Sequence, residues 1–164
     1  MMLLLHRLET LENHVLDERI YGAIVEGVTV FVLPKKGFQR KYAELAVNYG
    51  SNDNEFIPQG SHAPVRVPPG IAHFLEHKMF EKSWGEAFTA FGGMGASANA
   101  YTTNNSTSYL FWTIENFQKS LDLLVEVVFS PHFTDKSVEK EKGIISQEIK
   151  MYEDQPVSRL YSET

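Results

Sequence analysis

Residues 70–80 read GIAHFLEHKMF, and three of them carry groups that bind metals or move protons: His73, Glu76 and His77. On a helix, residues i and i+4 share one face, so two imidazoles at this spacing can grip a single ion. Glu76, at i+3 from His73, lies beside that face and can hydrogen-bond a water on the ion. The order H-x-x-E-H is the inverted counterpart of H-E-x-x-H. A buried helix is the competing reading, because Ile71, Ala72, Phe74, Leu75, Met79 and Phe80 surround these groups. That reading has a cost, since a buried carboxylate and two buried imidazoles all need partners. The pentapeptide alone leaves both readings open.

A catalytic zinc usually takes three protein ligands and keeps a fourth position for water. The chain has no cysteine, so any metal must be held by nitrogen and oxygen. His6, His14, His62 and His132 stand alone near a terminus or a turn and read as solvated. The segment SVEKEKGIISQEIKMYED offers more. On a helical wheel, Ile144, Ile145, Ile149, Met151 and Tyr152 form one apolar arc with Val138. Glu141 and Glu148 project into that arc, at about 300° and about 280° from Val138. Carboxylates on a core face are rare unless paired or metal-bound. One explanation is a salt bridge to a core lysine or arginine. Another takes Glu148 as the third ligand and Glu141 as its supporting partner, which gives a His₂Glu set suited to zinc.

Several elements must hold these groups. Residues 20–34, IYGAIVEGVTVFVLP, predict two β runs around Glu26-Gly27, and 42–50, YAELAVNYG, predict another. A long polar loop rich in Ser, Asn, Gly and Pro follows, and Pro68-Pro69-Gly70 marks entry to the motif helix. A short helix is expected around WGEAFTAFGGM. A hairpin follows, with its turn at Thr103–Thr107 and its second arm at Tyr109–Ile114. Residues 116–129 and about 137–153 predict the remaining helices. The pattern is α+β: a largely antiparallel sheet with helices packed on one face.

The 164 residues fit one domain by length, with 43% apolar and 22% charged residues. The net charge of −6 and the lack of a basic stripe argue against a nucleic-acid partner. No apolar run is long enough for a membrane span, and MMLLLHRLET has neither a basic leader nor a cleavage site. The expected location is cytoplasmic, with which the absence of cysteine is compatible.

Taken in order, GIAHFLEHKMF, GASANAYT and EKEKGIISQEIKMYEDQP resemble the insulinase-type (M16) metallopeptidases over roughly residues 20–156. The stretch AVNYGSNDNE before the loop fits the same pattern. The resemblance implies a zinc endopeptidase built on one M16, mitochondrial-processing-peptidase-like unit. It implies one Zn²⁺ bound by His73, His77 and Glu148, with Glu76 as general base and Glu141 as a supporting active-site residue. It also implies that Ser97, Ala98, Asn99, Ala100, Tyr101 and Thr102 form an exposed edge that receives the peptide substrate as an added strand. Ala96, Ala98 and Ala100 are expected to leave that backbone accessible. Lys78 departs from the family pattern, where many relatives carry methionine directly after the second histidine.

Members of that family are built from two homologous halves. Residues 1–164 are therefore expected to be an N-terminal catalytic unit whose partner is a C-terminal half or a homologous subunit. The alternatives are a non-catalytic binding or assembly subunit, a fragment inactive without its second half, and a metal-free interaction module. The last leaves Glu141 and Glu148 unexplained.

Overall fold

The computed structural model describes residues 5–13 and 18–155. They group into two compact units, Met1–Gln39 and Arg40–Thr164. The first unit holds β1 (Leu5–Asn13), β2 (Glu18–Val25) and β3 (Val28–Val32) in one antiparallel sheet of order β1-β2-β3. β2 and β3 meet at Glu26-Gly27, where φ is 49° and 85°. Positive φ at both central residues makes the tight turn whose twist suits a two-residue hairpin, and it explains the glycine. Glu18 and Lys35 form an ion pair within this unit. β1 was not anticipated from the sequence.

The second unit is built on β4 (Lys41–Val47), with the short ladder β5 (Glu55–Phe56) and β6 (Val65–Arg66) inside the long loop. Then come α1 (Ile71–Lys78), the two-residue strands β7 (Glu81–Lys82) and β8 (Gly85–Glu86), and α2 (Ala87–Gly93). β9 (Ala96–Thr102) and β10 (Thr107–Thr113) form the expected hairpin, followed by α3 (Phe117–Phe129) and α4 (Asp135–Glu153). The main sheet is antiparallel with order β4-β10-β9, so β9 is an edge strand among the described strands.

Alternation along these strands decides which face is buried. Ala43, Leu45 and Val47 of β4, Tyr109 and Phe111 of β10, and Ala96, Ala98 and Ala100 of β9 point to one side. Phe80, Ala87 and Phe91 and the α3 residues Leu123, Leu124 and Val127 complete that core. Phe91 and Phe111 stack at 5.7 Å between ring centroids. The helices therefore cover one face, as the α+β reading expects. The β9 alanines are small because they face this core. That is a different reason from the open backbone suggested by sequence.

α1 begins at Gly70, whose φ of 89° lets the chain turn into the helix after Pro68-Pro69. α4 begins in a capping box: Thr134 Oγ1 accepts from Ser137 N–H, and Ser137 Oγ accepts from Thr134 N–H, both at 3.1 Å. α4 packs against α1, with Glu141 and Glu148 on the contacting side. Much of this apolar arc stays open: Ile144, Ile149 and Met151 towards its edges are exposed, and so is Tyr152, which lies mid-arc in the last turn of α4. Within the arc the two glutamates meet the histidines of α1. No helix among the described residues is long and apolar enough to cross a membrane.

Candidate metal centre

α1 presents His73 and His77 on adjacent turns, their rings edge-on with centroids 4.6 Å apart. α4 brings Glu148 to the same place. Glu148 Oε2 lies 3.8 Å from His73 Nε2 and 3.6 Å from His77 Nε2. One ligand atom from each residue lies within 4.8 Å of the other two, and this is the one such His/Asp/Glu group among the described residues. Both separations exceed the usual 2.7–3.2 Å of an N–H···O bond. They are near the spacing of about 3.3 Å expected between donors held tetrahedrally around zinc at about 2.0–2.2 Å. Two imidazole nitrogens and a carboxylate oxygen facing one gap therefore fit a zinc ion.

Glu141 governs the state of His77. Its Oε1 lies 2.9 Å from His77 Nδ1, and its side chain is only 10% exposed. A carboxylate accepts here, so Nδ1 carries the hydrogen; in the neutral ring that leaves the lone pair on Nε2, the nitrogen 3.6 Å from Glu148 Oε2. The glutamate that sequence alone leaves between a core salt bridge and a supporting role thus bonds an imidazole.

Glu76 sits on the side of α1 facing the sheet. Thr102, the last residue of β9, donates its hydroxyl to Glu76 Oε2 at 2.5 Å. Tyr109 on β10 lies nearby: burial first, and then the charge on Glu76, raise its phenol above the ordinary value. Of the edge-strand residues, Ser97, Asn99 and Tyr101 are exposed on one face, while Ala98, Ala100 and Thr102 are half-buried on the other. Tyr101 donates to Glu44 Oε1 at 2.8 Å, on the sheet face away from the core.

The burial of two lysines was not visible in the sequence. Lys78, directly after His77, is fully buried and donates to Glu81 Oε2 at 2.6 Å. That bond, with the positive charge of Lys78, holds the Glu81 carboxyl below its ordinary range. Lys82 is buried too, and its Nζ donates to the carbonyls of Glu126, Val127 and Ser130 at 3.2, 2.9 and 2.8 Å. It closes the C-terminal end of α3, where carbonyls lack partners and a cation is favoured. No spacing rule marks either lysine. Among the remaining histidines, His62 is exposed and His132 half-buried, His6 lies in β1, and His14 falls outside the described residues.

The sequence profile of the insulinase family, peptidase family M16, matches residues 55–164. The chain belongs to the M16 peptidase family. This M16 chain is 50% identical over 155 residues to the uncharacterized zinc protease YmfH of Bacillus subtilis (strain 168), covering 94% of this chain and 36% of that protein. It is 33% identical over 101 residues to the mitochondrial-processing peptidase subunit beta of Caenorhabditis elegans, covering 57% and 22%. Among solved structures, an M16-like peptidase from Alicyclobacillus acidocaldarius superposes with a TM-score of 0.79 at 39% identity, over 99% of this chain and 35% of the other. The match thus spans from about a fifth to little more than a third of the length of these M16 relatives.

Proposed function

We propose that the protein containing this chain is a zinc-dependent endopeptidase that cleaves peptides or unfolded segments bound as an added strand along β9. The observation carrying this reading is the meeting of His73, His77 and Glu148 within 4.8 Å, beside a carboxylate tied to the end of an edge strand. His73, His77 and Glu148 would hold one zinc ion, with Glu141 fixing the His77 tautomer. The ion would supply Lewis acidity, polarising a substrate carbonyl and lowering the pKa of water to about 7. Glu76 accepts a proton from the attacking water and returns it to the departing amine, so water and peptide become a carboxylic acid and an amine, which at neutral pH stand as carboxylate and ammonium. Backbone pairing along Ser97–Thr102 supplies affinity with little demand on side-chain identity. A peptide lying there runs toward Thr102 and hence toward Glu76.

A C-terminal half or a homologous subunit would complete the substrate enclosure, in a cytoplasmic protein. A non-catalytic assembly role is disfavoured by Glu76, which a purely structural zinc site does not need. The test is chelator-sensitive cleavage of a quenched peptide by the zinc-loaded protein and by Glu76→Gln. The expected result is zinc retained and cleavage abolished in the variant; unchanged turnover would sink the assignment.

A further inference from the structure

Thr102 is the residue where the edge strand meets the motif helix, and its hydroxyl has one hydrogen to give. Glu76 Oε2 lies 2.5 Å away and Thr107 Oγ1 3.4 Å away. Thr107 has already used its own hydrogen, which goes to the carbonyl of Tyr49 at 2.8 Å. An ionised carboxylate can only accept. The shorter contact therefore takes the Thr102 hydrogen, and the direction of the bond is fixed.

The anchor behind Thr102 is equally defined. Thr102 and Thr107 are the terminal pair of the β9–β10 ladder. The turn beyond them is closed by Thr103 N–H to Ser106 O at 2.8 Å. That turn is held from outside by Ser51 N–H to Thr103 O and Asn52 N–H to Asn104 O, both at 2.9 Å. A threonine in a strand has a restricted χ1, so its hydroxyl is aimed by the backbone. Glu76, by contrast, has a long side chain with substantial rotamer freedom.

We infer that Thr102 is a positioning residue for Glu76, fixing the carboxylate rotamer and occupying Oε2 so that Oε1 is left to take the proton. The inference rests on the general-base reading of Glu76. It also links two parts of that reading: the strand proposed to hold the peptide and the group proposed to act on it share one hydrogen bond. Movement of one relative to the other breaks that bond.

The test compares wild type, Thr102→Val, which keeps the branched shape without the donor, and Thr102→Ser, which keeps the donor. Side-chain scalar couplings of Glu76, measured by NMR on the chain itself, require no turnover. One Glu76 rotamer is expected in wild type and Thr102→Ser, and averaged couplings in Thr102→Val, with zinc stoichiometry equal in all three. In the zinc-loaded protein with a quenched peptide, kcat should fall about tenfold or more in Thr102→Val with KM within about threefold, and Thr102→Ser should recover most of it. A single unchanged rotamer in Thr102→Val overturns the inference. So does a raised KM with kcat intact, which would make Thr102 a substrate contact instead. If cleavage survives Glu76→Gln, the general-base reading itself fails; the signature would be Thr102→Val altering the rotamer without altering kcat.

Discussion

Glu141 gives the sharpest quantitative expectation. Its carboxylate accepts from His77 Nδ1 at 2.9 Å, with the side chain only 10% exposed, so little water competes for the bond. Hydrogen bonds to charged groups contribute about 1.5–3 kcal/mol when removed. Outer partners of metal-bound histidines typically change metal affinity about 10–100-fold, equivalent to about 1.4–2.7 kcal/mol. The two ranges agree because the same bond selects the tautomer whose Nε2 lone pair faces Glu148. Glu141→Ala should therefore weaken zinc binding about 10–100-fold. Glu141→Gln keeps a neutral acceptor oxygen and should lie nearer the lower end. Competition against a chromophoric chelator at neutral pH measures both, and urea unfolding of the metal-free variants checks that the fold survives. Affinities within about twofold of wild type in both folded variants would refute this role for the bond.

Three further outcomes follow from local contacts. Lys82→Met takes the lysine donor from the carbonyls of Glu126, Val127 and Ser130, of which Glu126 still accepts from Ser130 N–H, and should destabilise the protein by about 1.5–3 kcal/mol in urea unfolding, whereas a change below about 0.5 kcal/mol would contradict the capping role. The Glu81 carboxyl is held below its ordinary value of 4.5 by Lys78, so its stabilisation is fully present above that pH and is lost as pH falls through the lower folded value. The stability gap between wild type and Glu81→Gln should accordingly narrow below about pH 4.5, and a gap constant with pH would argue against the pair. A Cβ on Gly50 would meet Asn105 N at 2.4 Å and Ser106 N at 2.5 Å, both backbone atoms. Gly50→Ala should cost about 1–3 kcal/mol and shift the amide resonances of residues 103–106, and an unperturbed turn would show that the close approach is not needed.

The elements with strong local signals were legible in the sequence. Pro68-Pro69-Gly70 marked the start of α1, 3.6-residue periodicity marked α3 and α4, and the polar turn between two β-prone arms marked β9 and β10. The metal-centre residues were legible for a different reason. Glu141 and Glu148 break the amphipathic pattern of α4, and the structure brings both to the histidines of α1. β5 and β6 were invisible because a two-residue ladder has no period to detect. β1 pairs with β2 through a register shift between His6 and Glu9, which no sequence period announces. The exposed flanks of α4 show the limit of a wheel, which identifies an apolar arc but not how much of it a neighbour covers. Lys82 was unreadable because its acceptors are carbonyls more than forty residues away, and Lys78 because its partner Glu81, three residues on, gives no sign in sequence that the lysine is buried. The bond from Thr102 to Glu76 spans 26 residues and arises only when the edge strand docks beside the motif helix.

The central claim is that His73, His77 and Glu148 together form one zinc site. Equilibrium dialysis of the chain against a fixed free-zinc concentration, repeated with Glu148→Gln, tests it most directly. The account predicts one zinc per wild-type chain and a much reduced occupancy in a variant that remains folded. Full occupancy in Glu148→Gln, or no zinc bound by the folded wild type, would contradict it.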